Sequence, residues 1–177
     1  MSSELTPKTG QFDEIISIID NARTRALKAV NAELIQMYLN VGEYLSALCA
    51  DSEFGDKVID EAAAYIAKEN PGVKGFNRRG LYRMKQFYET YRDDEFVTPL
   101  VTQISWTNHL LIMSGSKTVE ERHFYMALCA KEHYSKRELE RQMSSAYYER
   151  YMLSSKKLMH ESVPQDVRGS ILDTYVL

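Results

Sequence analysis

The chain has 177 residues, 44% of them hydrophobic and 27% charged, with eight Gly, four Pro, two Cys and a formal net charge of −3. That length and apolar fraction suit one domain, or one plus a tail, and exclude a wholly disordered, low-complexity or collagen-like chain. No apolar run approaches the roughly 20 residues of a membrane helix, so no membrane association is expected.

Residues 1 to 11 are polar, with Pro7 and Gly10, and read as a flexible leader without the basic and apolar regions of a secretory signal. From Phe12 to Ala50 there is no proline and one glycine, Gly42. Ile15, Ile19, Ala22, Ala26, Val30, Leu34, Met37, Val41, Leu45 and Leu48 recur in steps of three and four, the spacing of an amphipathic helix. So long a rod calls for a partner, and Asn31 or Gly42 marks where it could break. Residues 51–56 are punctuation. Residues 57–69 predict a second helix with Val58, Ala62, Tyr65 and Ile66 on one face. Pro71-Gly72 and Gly75 then interrupt the pattern, and Asn77 is a candidate N-cap for the next helix.

Residues 93–103 carry an acidic start, a proline and β-branched side chains, which fit a loop or short strands. Residues 104–115 predict a helix with Ser105 as N-cap and Gly115 as stop. Thr118-Val-Glu-Glu121 and Ser135-Lys-Arg-Glu138 have the form of capping boxes. From Ser135 one helix is expected to run on through residue 155. Beyond Lys157 the periodicity fades into a linker ending on ILDTYVL.

Motifs for phosphate-loop, dinucleotide, zinc-protease, nucleophile-elbow and calcium chemistry do not occur. Cys129 and His133 lie one helical turn apart, with His123 six residues before Cys129. A structural zinc site wants four ligands, usually with paired cysteines, and the two cysteines here, Cys49 and Cys129, are far apart. They read better as a small buried thiol and a surface imidazole in a reduced protein, expected to be cytoplasmic. The carboxylates Glu120, Glu121, Glu138 and Glu140 read as caps or solvated side chains. No catalytic residue, metal, cofactor or small-molecule substrate is expected.

The segment from 57 to 92 has the outline of a helix-turn-helix, with a connection longer than the usual three or four residues. In its second helix, Leu81, Met84, Phe87, Tyr88 and Tyr91 share one face. Arg79, Tyr82, Arg83 and Gln86 share the other, with Arg78 and Lys85 on its flank. Between Lys74 and Arg92 there are six Lys or Arg against one Glu, in a chain that is acidic overall. A DNA-recognition helix has this layout. Its apolar side docks it, Arg and Gln can fork onto purine edges, and flanking cations neutralise phosphates. The bland alternative is an ordinary solvated basic face. A second basic stretch, 131–141, alternates with glutamates and reads as intrahelical pairs. Lys156-Lys157 could add a phosphate contact. Most of the twelve tyrosines, and the single tryptophan Trp106, sit at core spacings.

The blocks GFNRRGLYRMKQFYETY, TQISWTNHLLIM and HYSKRELERQMSSAYYERYMLS, with VNAELIQMYLNVGEYL before them, resemble the YhcG family of bacterial proteins over residues 12 to 157. Its members join a helical N-terminal domain to a C-terminal nuclease domain of the PD-(D/E)xK type, which these residues are not expected to include. The resemblance implies a winged-helix-like module that binds DNA and dimerises, without catalysis by these residues. Asn77 and Gly80 depart from the residues common in the family, which bears on base preference.

The expected fold is therefore mainly α, with a winged-helix-like helix-turn-helix and at most a short β-hairpin. The expected division is a leader at 1–11, a helical DNA-binding and dimerisation domain at 12–157, and a linker at 158–177. Expected partners are duplex or branched DNA and a second copy of the chain. Lys74, Asn77, Arg78, Arg79, Tyr82, Arg83, Lys85 and Gln86 are the candidate contacts. The alternative is a protein-interaction module without direct DNA binding.

Overall fold

The computed structural model describes residues 9–51, 55 and 57–162, with side chains described for 12–51, 55 and 57–154. Seven α-helices occur among them: α1 (Thr9–Asp51), α2 (Lys57–Glu69), α3 (Arg78–Tyr91), α4 (Trp106–Gly115), α5 (Val119–Glu132), α6 (Lys136–Ser144) and α7 (Tyr147–Ser162). Residues 93–103 are turns closing in a single 3₁₀ helix (Val101–Gln103), and no strand occurs among the described residues. Residues 9–11 of the expected leader are already helical, and residues 158–162 of the expected linker continue α7. The rest of the leader and linker lies outside the described residues. No described helix is long and apolar enough to cross a membrane.

The chain divides into two compact units, up to Trp106 and from Thr107. In the first, α1 packs most extensively on α3. Leu45, Ile59, Leu81 and Met84 form a core cluster, with Tyr38, Val41, Ala62, Ile66, Phe76 and Trp106 packed against it. Trp106 stacks at a tilt on Tyr38, 4.5 Å between ring centroids, and meets Phe87 edge-on at 5.2 Å. Edge-to-face geometry suits the quadrupoles of such rings.

α1 does not break at Asn31 or Gly42. Asn31 instead sends its amide out of the helix to the carbonyls of Thr102 (2.9 Å) and Ile104 (3.1 Å), tying the 3₁₀ segment to α1. Gly42 is the crossing point with α3: a Cβ there would run into the Met84 carbonyl oxygen and the Tyr88 side chain. The packed face of α2 also differs from expectation. It carries Ile59, Ala62, Ala63 and Ile66, while Tyr65 is exposed. Helical spacing alone admits either stripe, and the position of α1 and α3 selects the one that can be buried.

In the second unit, Ile112, Tyr125, Met126, Cys129 and Leu139 are buried. Ser135 and Glu138 make a full capping box. Thr118 caps α5 through the Glu121 N–H, but the Glu121 carboxylate accepts from Lys117 rather than from the cap residue. The long helix expected from Ser135 is two helices. Ser145 closes α6 and Ala146 takes a left-handed φ of 53°. The buried Tyr125 hydroxyl accepts the Tyr148 N–H at 3.3 Å, satisfying a donor in the first turn of α7. Neither signal is visible locally, because Ala146 is not a glycine and Tyr125 is over twenty residues away.

Candidate nucleic-acid interface

α3 begins where the chain turns back on itself. Gly75 has φ +93°, open to glycine and rarely to other residues. Asn77 lies in extended backbone and its side chain accepts the Gly80 N–H at 2.9 Å. Gly80 must lack a side chain too, since a Cβ would strike the Gly75 carbonyl oxygen. So the connection from α2 folds tightly against the first turn of α3. An open groove of about 520 Å³ lies at this end, lined by Ala63, Ala67, Val73, Lys74 and Phe76 among others.

The opposite faces of α3 are as the spacing predicts. Leu81, Met84, Phe87 and Tyr91 are buried against the core. Tyr88 is half-buried at the edge, with its hydroxyl 3.3 Å from Glu43. Burial and that carboxylate push the Tyr88 hydroxyl's pKa up. Arg79, Tyr82 and Gln86 are exposed and Arg83 is partly exposed. Lys74 is exposed beside the start of the helix.

Three of the eight candidate contacts are already engaged within the unit. Asn77 is the N-cap. Arg78 pairs through Nε with Asp60 of α2 at 2.6 Å, with both side chains well exposed. Lys85 reaches Glu89 at 3.1 Å, its side chain only 17% exposed, and lies 6.0 Å from the centre of the Tyr82 ring. Burial alone would raise the Glu89 carboxyl, but hydrogen bonds from Ser46 and Lys85 outweigh it and hold the pKa below the usual value. The side chains of Lys74, Arg79, Arg83 and Gln86 show no ion pair or hydrogen bond among the described residues. The unspent basic groups thus concentrate on the exposed side of α3 and at its start. The punctuation at Gly75 and Gly80 could have been read as a close backbone approach. The Lys85–Glu89 pair is likewise legible as an i,i+4 spacing within α3, but the Arg78–Asp60 pair could not be read, because charge counting along one helix does not see the side chains of a neighbour.

The Cys129 and His133 pair has little metal-binding character. Burial pushes the Cys129 thiol up to about 12, far from the thiolate a metal needs. His133 is the left-handed C-cap of α5. No group of three or more His, Cys, Asp or Glu able to hold a metal occurs among the described residues.

A helical protein with a docked basic helix is the class this geometry defines. Residues 14–150 match the family described as the DUF1016 N-terminal domain, and the chain belongs to that family. A curated relative, "Putative nuclease YhcG" of Escherichia coli (strain K12), is 24% identical over an alignment of 204 residues. The alignment covers 93% of this chain and 54% of the relative, so the chain spans about half the length of the curated protein it matches. No solved structure matches the chain.

Proposed function

We propose that this chain is a DNA-binding and dimerisation module that delivers a nuclease domain to its substrate and does not itself cut DNA. The observation that carries the proposal is the exposed face of α3, where Arg79, Tyr82, Arg83 and Gln86 stand opposite a fully buried apolar face. In this reading α2 and α3 are the helix-turn-helix of a winged-helix-like unit. Arg79, Arg83 and Gln86 address the groove, Tyr82 packs on sugar or base, and Lys74 contacts phosphate. Arg78 contributes by bracing α3 against Asp60 of α2, Lys85 by pairing with Glu89 one turn along α3, and Asn77 by starting the helix. The relative's name supports the nuclease context, and the free cysteines suit action in the cytoplasm.

Fluorescence-anisotropy titration with labelled duplex and branched DNA at two salt concentrations tests this. Affinity should fall steeply with salt, as released counterions require. The R79E/R83E variant should weaken binding at least tenfold at equal stability. Unchanged affinity in that variant would overturn the assignment of α3.

A second reading, a protein-interaction module with a merely solvated basic helix, is favoured by the exposed Phe12, Ile15, Ile16, Ile18 and Ile19 of α1. It predicts a dimer or hetero-complex that binds no DNA at low salt.

A further inference from the structure

Residues 12–30 are exposed without exception, about 28 Å of helix at the standard rise. Yet Phe12, Ile15, Ile16, Ile18 and Ile19 there are each between 48 and 59% exposed. At 100° per residue, Phe12, Ile15, Ile18 and Ile19 are turned by about 100° or more from the mean direction of Ile35, Gly42 and Leu45, which pack into the first unit, while Ile16 lies nearer that face. Most of this surface is therefore turned away from the packed face of the helix.

We infer that residues 12–30 of α1 pair with the same residues of a second copy in antiparallel orientation, about a two-fold axis between Asp20 and Asn21. The inference rests on the proposal that the chain dimerises, and adds which segment pairs and in which direction.

Spacing, size and charge lead there independently. Phe12, Ile15, Ile19, Ala22, Ala26 and Ala29 follow one another in alternating steps of three and four, the seam of a two-stranded coiled coil. Ile16, Ile18 and Val30 flank that seam, while Leu27 falls outside it. All the large seam residues lie before Asp20 and all the alanines after it. Antiparallel pairing about the stated axis sets Phe12 against Ala29, Ile15 against Ala26 and Ile19 against Ala22, so every layer joins one large and one small side chain. The distance between helix axes can then stay constant along the seam. Parallel pairing would stack large on large at one end and alanine on alanine at the other.

Charge divides at the same point. Residues 12–20 contain Asp13, Glu14 and Asp20 and no cation; residues 21–30 contain Arg23, Arg25 and Lys28 and no anion. Antiparallel pairing lays the acidic half of each copy along the basic half of the other, whereas parallel pairing opposes like with like over the whole length. A two-fold interface of this kind is isologous and closed, so association stops at the dimer.

Light scattering on the unsubstituted chain, followed by disulfide mapping, tests the inference. An I15C chain carrying a size tag is mixed with an untagged A26C chain, allowed to exchange subunits and briefly oxidised. The unsubstituted chain with its own two cysteines serves as the blank. The expected result is a dimer mass, a cross-link between the I15C and A26C chains, and none within either variant alone. Cross-links within each variant but not between them would overturn the antiparallel arrangement and leave the dimer standing. A monomer mass would overturn both.

Discussion

Gly42 of α1 lies so close to the Met84 carbonyl of α3 that no side chain fits between the two helices. The contact sits on the most extensive helix pair of the first unit, and it lets α3 seat its apolar face deeply enough to bury Leu81, Met84 and Phe87. G42A should lower the unfolding free energy by about 2–3 kcal/mol, because the obstacle is backbone and cannot rotate away. Urea titration followed by circular dichroism measures it. A loss no greater than a few tenths would mean that the helices slide apart freely.

Asn31 fixes the segment that follows α3. Its amide donates to the backbone carbonyls of Thr102 and Ile104, more than seventy residues away. N31L preserves bulk but removes both hydrogen bonds, and should cost about 1–3 kcal/mol. Because Trp106, the single tryptophan, packs on Tyr38 just beyond this tie, its emission should also shift to the red. Unchanged emission with unchanged stability would show the tie to be dispensable.

Asn77 separates a structural role from a binding one. N77A should destabilise the protein by about 1 kcal/mol, and N77S much less, since serine also caps. If the cap is its main role, DNA affinity in both variants should match the unsubstituted chain once folding is complete. A large affinity loss in N77S at full stability would instead place this side chain in the groove.

Glu138 ties the start of α6 to pH. Its carboxylate accepts from the Ser135 hydroxyl (2.7 Å) and backbone N–H (2.9 Å), and these bonds hold its pKa below the usual carboxylate value. A lowered folded-state pKa adds stability above the unfolded value of about 4.3 and loses it as pH falls through the folded one. Stability should therefore decline on acidification below about pH 4.5, and E138Q should show a shallower decline. Parallel acid limbs in the two proteins would refute the link.

What was legible in the sequence follows the range of the forces involved. Asn77, Thr118 and Ser135 cap the helices they precede, because a cap is settled within four residues. The buried stripe of α3 was equally legible, since its apolar residues are large, regular and backed by a uniformly polar face. The face of α2 was misjudged because alanines leave the period ambiguous. The long helix expected after Ser135 ends at Ser144 and restarts at Tyr147, where the Tyr125 hydroxyl of α5 accepts the Tyr148 N–H. Of the polar residues around α3, local reading placed Arg79, Arg83 and Gln86 on the exposed side, but could not show that Arg78 is held by Asp60 of α2.

The sequence by itself determined that this is a helical chain, where most of its helices begin, and that one of them carries a basic face behind an apolar one. Family membership was legible in it too, through short blocks of unusual residues. Only the tertiary structure decided that Gly42 is a crossing point and Asn31 a tie, which of the cations remain unspent, and that the start of α1 stands clear of the core. The physical reason is the same in each case. Helix identity is written in neighbours three and four residues apart, whereas the role of a glycine, an amide or an exposed stripe depends on what distant residues bring against it.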